Sequence, residues 1–79
     1  MISLEVLKGQ TYRHFKGNVY KILSIAKDCD NLKKLVVYQD ITDEDKIWVR
    51  DYNEFISLVD KEKYPDVTQE YRFELVDND

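Results

Sequence analysis

The chain has 79 residues, with two glycines, one proline, one cysteine and one histidine. That length allows one domain with a small core, and the inventory excludes Gly-rich nucleotide loops, Cys/His zinc clusters and an internal disulfide. Twelve basic and sixteen acidic side chains give a net charge of -4, a poor start for a nucleic-acid binder. The charge is uneven. Val6 to Lys27 holds Lys8, Arg13, Lys16, Lys21 and Lys27 and no acid, whereas residues 28–79 hold seven basic and fifteen acidic groups. A basic segment on an acidic body suits a compact anion better than a long polyanion, which the distant acids repel. A solvated strand pair with lysines facing water accounts for the same pattern.

Leu4, Val6 and Leu7 form a short apolar opening. Thr11 to Phe15 is rich in strand formers, Lys16-Gly17 reads as a turn, and Asn18 to Ala26 reads as a long strand. A two-residue Lys16-Gly17 turn pairs Phe15 with Asn18, His14 with Val19 and Arg13 with Tyr20. Arg13 then stacks on the Tyr20 ring, and Tyr12 and His14 share the opposite face. Asp28-Cys29-Asp30-Asn31 is polar turn material. Leu35 to Tyr38 is the clearest strand, Ile41 to Lys46 an acidic loop, and Ile47 to Arg50 another short strand.

Asp51, with Glu54 three residues on, marks a helix start. Tyr52, Phe55, Ile56 and Val59 fall on one helical face, a core stripe. Pro65 ends any helix. Gln69 to Val76, with Tyr71, Phe73 and Leu75 alternating, reads as a final strand, and Asp77 to Asp79 as a frayed end. These elements predict a single, mainly β domain with one short helix, built as a small, highly curved antiparallel sheet or an SH3-like barrel. No stretch is long and apolar enough to span a membrane. The start lacks the pattern of a secretory signal, and a lone Cys29 suits a reducing compartment, so a cytoplasmic location is expected.

The segment Tyr12-Arg13-His14-Phe15-Lys16-Gly17-Asn18-Val19-Tyr20, followed by Val36-Val37-Tyr38-Gln39 and Ile47-Trp48-Val49-Arg50 with Phe55, resembles a small bacterial family, the domain of unknown function 1653. The resemblance covers about residues 9–59 and leaves 60–79 as a C-terminal extension. It departs twice: Asp28-Cys29-Asp30-Asn31 stands where the family usually has His-Ser-Glu-Thr, and Asp51 stands where the family has Pro. The family supplies an arrangement and no mechanism. It implies that Tyr12, Arg13, His14, Lys16, Asn18, Tyr38, Trp48 and Arg50 act together.

These residues suit a planar anionic ligand. Arg13 and Arg50 can grip phosphate or carboxylate, Tyr12, Tyr38 or Trp48 can stack on a base, and Asn18 can read a base edge. Plainer roles stand beside these: Tyr38 and Trp48 as core, Asn18 as a turn former, Arg50 paired with Asp51 or Glu54, His14 bonded to a neighbouring strand. The expected function is a non-enzymatic binding module for a phosphate-bearing small ligand such as a nucleotide or nucleotide-derived signal, with no cofactor and no metal. A single-stranded nucleic-acid-binding barrel and a protein-interaction subunit binding through a sheet edge are the alternatives, and self-association would give so short a chain more core.

Overall fold

The computed structural model describes residues 5–76; Leu4 and the end at Asp77 to Asp79 lie outside the described residues. Five strands form one antiparallel sheet: β1 (Thr11–His14), β2 (Val19–Lys27), β3 (Lys34–Asp40), β4 (Asp43–Asp51) and β5 (Phe73–Val76), with one turn of helix, α1 (Tyr52–Phe55), between β4 and β5. Their order is β4-β3-β2-β1-β5. The sheet is mainly β and antiparallel as the sequence predicts, but it is not a closed barrel: β4 and β5 are its two edges.

One face carries the core. Tyr12, Ile22, Val36, Tyr38 and Phe73 point to it, and Val6 and Phe55 complete it. Strand β2 keeps its apolar side on that face through a bulge. Ile22 pairs with Tyr38, and after a one-residue shift Ser24 pairs with Val37 and Ile25 with Val36. The extra residue reverses the side-chain alternation, so Ile22 and then Ile25 both reach the core, and the bulge adds local twist.

The β1–β2 hairpin has a three-residue loop, Phe15-Lys16-Gly17, where the sequence suggests two. Tyr12 pairs with Tyr20 and Arg13 with Val19. The His14 N–H donates to the Asn18 carbonyl at 2.7 Å, and the Gly17 N–H to the His14 carbonyl at 2.8 Å. Gly17 at φ +106° occupies the position that such a loop reserves for glycine. The shift of one residue places Tyr12 and Tyr20 on the same face and separates Arg13 from the Tyr20 ring.

The acidic run is not a loop. Ile41-Thr42 makes the turn, and β4 begins at Asp43 with a bulge, since Asp40 pairs with Asp43 while Gln39 pairs with Ile47. The Gln39 side-chain amide holds the bulge by donating to the Glu44 carbonyl at 2.8 Å. Helix α1 starts where expected: the Asp51 carboxylate accepts from the Asn53 and Glu54 N–H groups. It ends after one turn, however. Residues 57–59 extend and pair with 70–72, through Arg72 N–H to Ser57 carbonyl at 3.0 Å and Val59 N–H to Glu70 carbonyl at 2.9 Å. Val59 is therefore buried, as its apolar character predicts, but from an extended segment and not from a helical face.

Candidate functional site

A hollow of about 230 Å³ opens at one end of the inner face, lined by His14, Tyr20, Tyr38, Trp48, Arg50 and Phe73. Strand alternation explains the gathering. Trp48 lies opposite Tyr38, and Arg50 opposite Val36, so both side chains of edge strand β4 share the core's face. His14 lies opposite Phe73, which brings β1 and β5 to the other side.

Arg50 is the most constrained of these residues. Its Nε–H donates to the Tyr38 hydroxyl at 3.3 Å and its Nη1 to Glu54 at 3.0 Å, and its guanidinium carbon is 5.8 Å from the centre of the Phe73 ring. Partial burial works against its charge, but the Tyr38 hydroxyl and Glu54 outweigh that and hold it protonated. A guanidinium has five N–H donors, so three remain for a ligand. Trp48 is 48% exposed. Tyr20 packs edge-on against Tyr38 at 5.1 Å, and its hydroxyl is pushed above its ordinary pKa by burial, then by Asp40 and Tyr38.

His14 stacks on Phe15 at 4.3 Å and meets Phe73 edge-on at 4.9 Å. Its Nδ1 accepts the Lys16 backbone N–H at 3.0 Å. Burial lowers its pKa, and the positive charges of Arg50, Lys16 and Arg72 lower it further. Arg72 itself has a buried Nε with no partner among the described residues.

The other four predicted residues stand elsewhere. Tyr12 is in the core, edge-on to Phe55 at 5.4 Å, with its hydroxyl bonded to Gln10 at 2.9 Å; burial makes it a packing residue. Arg13 alternates with Tyr12 and His14, so it points to the opposite face, where it sits 4.0 Å from Glu74; the three-residue loop pairs it with Val19 and not Tyr20. Lys16 is exposed at the loop tip, its Nζ 5.5 Å from the centre of the Tyr64 ring. Asn18 follows the loop, where its backbone closes the hairpin and its side chain helps keep Asp40 ionised; that carboxylate accepts mainly from Thr42. The sequence therefore brings four of eight candidates to the hollow: His14, Tyr38, Trp48 and Arg50. It misses Tyr20, which ends the Tyr12 to Tyr20 segment, and Phe73, whose signal was the alternation of Tyr71, Phe73 and Leu75.

Asp28 to Asn31 lie in the β2–β3 turn, at the far end of β2 from the hollow. Asp28, Cys29 and Asp30 bring ligand-type atoms within 4.8 Å of one another on that turn, which is held by Asp28 accepting the Asp30 N–H at 2.8 Å. A second hollow of about 270 Å³, lined by Lys33, Lys34, Asp51, Tyr52 and Asn53, contains none of the predicted residues.

The sequence model of a family described as a protein of unknown function, DUF1653, matches residues 10–75. The chain belongs to this family. The match runs beyond the motifs at 9–59 and takes in β5, so the DUF1653 unit includes the strand that supplies Phe73. No curated protein and no solved structure matches this chain.

Proposed function

We propose that this DUF1653 chain is a small non-enzymatic binding module for a phosphate-bearing ligand, such as a nucleotide or a nucleotide-derived signal. The observation that carries the reading is the Arg50 guanidinium: two donors are pinned by Tyr38 and Glu54, three are left over, and an exposed indole stands on the same face. Arg50 takes the phosphate, Trp48 stacks on the planar part, and His14 completes the lining. Arg50, Lys16 and Arg72, the cations that act on His14, supply attraction at close range while the net -4 of the chain discourages polyanions. A binding role without catalysis agrees with His14 having no carboxylate partner among the described residues to orient it as an acid or base.

Isothermal titration against a panel of mono- and dinucleotides tests the proposal. Trp48→Ala is expected to weaken binding by about tenfold or more, since base–aromatic stacking contributes about 1–3 kcal/mol. Stability is expected to fall by about 1–2 kcal/mol because half of the ring is covered, so binding is measured where a melt shows the variant folded. Silence across the panel at high micromolar concentration overturns it. Retarded single-stranded RNA or DNA in a gel shift, with a steep salt dependence, would favour the nucleic-acid alternative.

A second reading rests on a different surface. β4 is an edge strand whose outward residues Ile47 and Val49 are 52% and 59% exposed, the kind of edge that pairs with another chain. Self-association through it is tested by analytical ultracentrifugation. The wild type is expected to sediment as a dimer and Val49→Lys as a monomer; a monomeric wild type excludes the reading. A bacterial cytoplasmic location fits the family resemblance and the free, exposed Cys29. Among the described residues no helix is long and apolar enough to cross a membrane.

A further inference from the structure

We propose that His14 is an imidazole of fixed tautomer, neutral at pH 7 with the anion bound or absent, which offers its Nε2–H as a hydrogen-bond donor to an anion in the hollow. This rests on the reading of the hollow as an anion site and adds how the site handles protons.

Two independent features lead to it. The first is geometric. Nδ1 accepts the Lys16 backbone N–H at 3.0 Å. A ring nitrogen whose lone pair accepts a hydrogen bond cannot also carry a proton, so the ring hydrogen of neutral His14 is on Nε2. Nε2 has no partner among the described residues, and the ring lines the hollow. The second feature is electrostatic. The groups that act on His14 are Lys16 from its own loop, Arg50 from β4 and Arg72 from the segment before β5. The titratable groups that share its hollow are the phenols of Tyr20 and Tyr38. No carboxylate is among these groups. Three like charges and an apolar sandwich of Phe15 and Phe73 all oppose an imidazolium.

A bound anion pulls the other way and attracts a proton to the ring. That proton has only Nδ1 to go to, where it meets the Lys16 N–H and replaces a hydrogen bond with two opposed donors. The hairpin loop thus decides the outcome, since Gly17 gives it the shape that places the Lys16 N–H on Nδ1. A neutral donor of this kind keeps the site's affinity steady across neutral pH, where a charged histidine would make it rise with acid.

Because the chain has one histidine, its ring can be read without assignment by long-range proton–nitrogen NMR of the whole protein from pH 5 to 8, first alone and then with sodium sulfate at matched ionic strength. Sulfate stays a dianion over this range, so any pH dependence belongs to the protein. The expected result is an Nε2–H ring at pH 7 with a midpoint below the ordinary value near 6.5, and a sulfate-induced shift of Nε2 with Nδ1 still unprotonated. His14→Ala is expected to lose about tenfold in sulfate affinity. His14→Gln, whose amide N–H reaches about as far as Nε2 and never charges, restores most of it. An Nδ1–H tautomer, or conversion to the imidazolium when sulfate binds at pH 7, overturns the inference. So does a Gln variant as weak as Ala. An Nε2–H ring in a protein that binds neither sulfate nor any nucleotide fails differently: it removes the anion site itself, and with it the donor role.

Discussion

His14 and Gly17 show how much one residue's conformation decides in a chain this short. Gly17 at φ +106° lets three residues turn β1 into β2. An added Cβ there meets no atom, so Gly17→Ala acts through backbone strain alone and is expected to cost about 1–2 kcal/mol, measured by urea unfolding; a neutral result would mean that the loop relaxes to another type. The same loop sets which β2 residue each β1 side chain lies beside, and alternation along β1 sets the faces. Tyr12 and His14 go to the core side and Arg13 to the other, where its contact with Glu74 at 4.0 Å is an exposed pair of small energetic weight. His14 also gives stability a pH signature. Its folded-state pKa is lowered, so the unfolded chain binds a proton more readily. Its contribution is complete above about pH 6.5, falls as pH drops from there toward the folded value, and then levels off. Thermal melts are expected to lose that step in His14→Gln, while acid loss from Asp40, whose pKa is lowered, falls below the ordinary carboxylate range near 3.8.

At the scale of elements, the caps and turns were legible and the lengths were not. Asp51 caps α1 through two N–H groups. Asp51→Ala is expected to cost about 1 kcal/mol, read as a lowered urea midpoint with unchanged slope. The helix stops at Phe55 although Tyr52, Phe55, Ile56 and Val59 keep helical spacing. The backbone of residues 57–59 finds better partners in residues 70–72, and a strand more than ten residues away is invisible to a local pattern. β4 is longer than its apolar residues suggest, because Gln39 stitches the acidic Asp43 to Asp45 segment into a bulge. The edge position of β4 matters for the site. Alternation on one strand supplies Trp48 and Arg50 to the hollow and Ile47 and Val49 to the outer face, so the two proposed surfaces can be separated by single substitutions.

For the molecule as a whole, the core is an aromatic cluster that joins both ends of the chain. Phe55 and Phe73 stack with centres 3.9 Å apart, and both meet Tyr38 edge-on. Phe55 is 1% exposed. Phe55→Ala is expected to cost about 3–5 kcal/mol, against a total of roughly 4–12 kcal/mol for a domain of this length. Circular dichroism should therefore show a partly or wholly unfolded variant at 37 °C, and a folded one of near wild-type stability would contradict the core described here. Phe73 also lines the hollow, so the site and the core share a wall. The C-terminal segment is thus part of the unit: β5 pairs along the whole of β1, from Thr11 with Val76 to His14 with Phe73.

The sequence by itself determined what local chemistry controls. Apolar alternation marked Leu35 to Tyr38 as a strand, Asp51 marked the start of the helix, Gly17 marked a turn, and the Tyr12 to Tyr20 motif marked the family. Tertiary structure alone decided the loop's third residue, the bulge at Leu23, the pairing of β5 with β1, and hence which polar side chains meet. A one-residue change of register moves every side chain to the other face, and register is fixed by how the faces pack together. That is why His14, Tyr38, Trp48 and Arg50 share a hollow while Arg13, from the same motif, faces away.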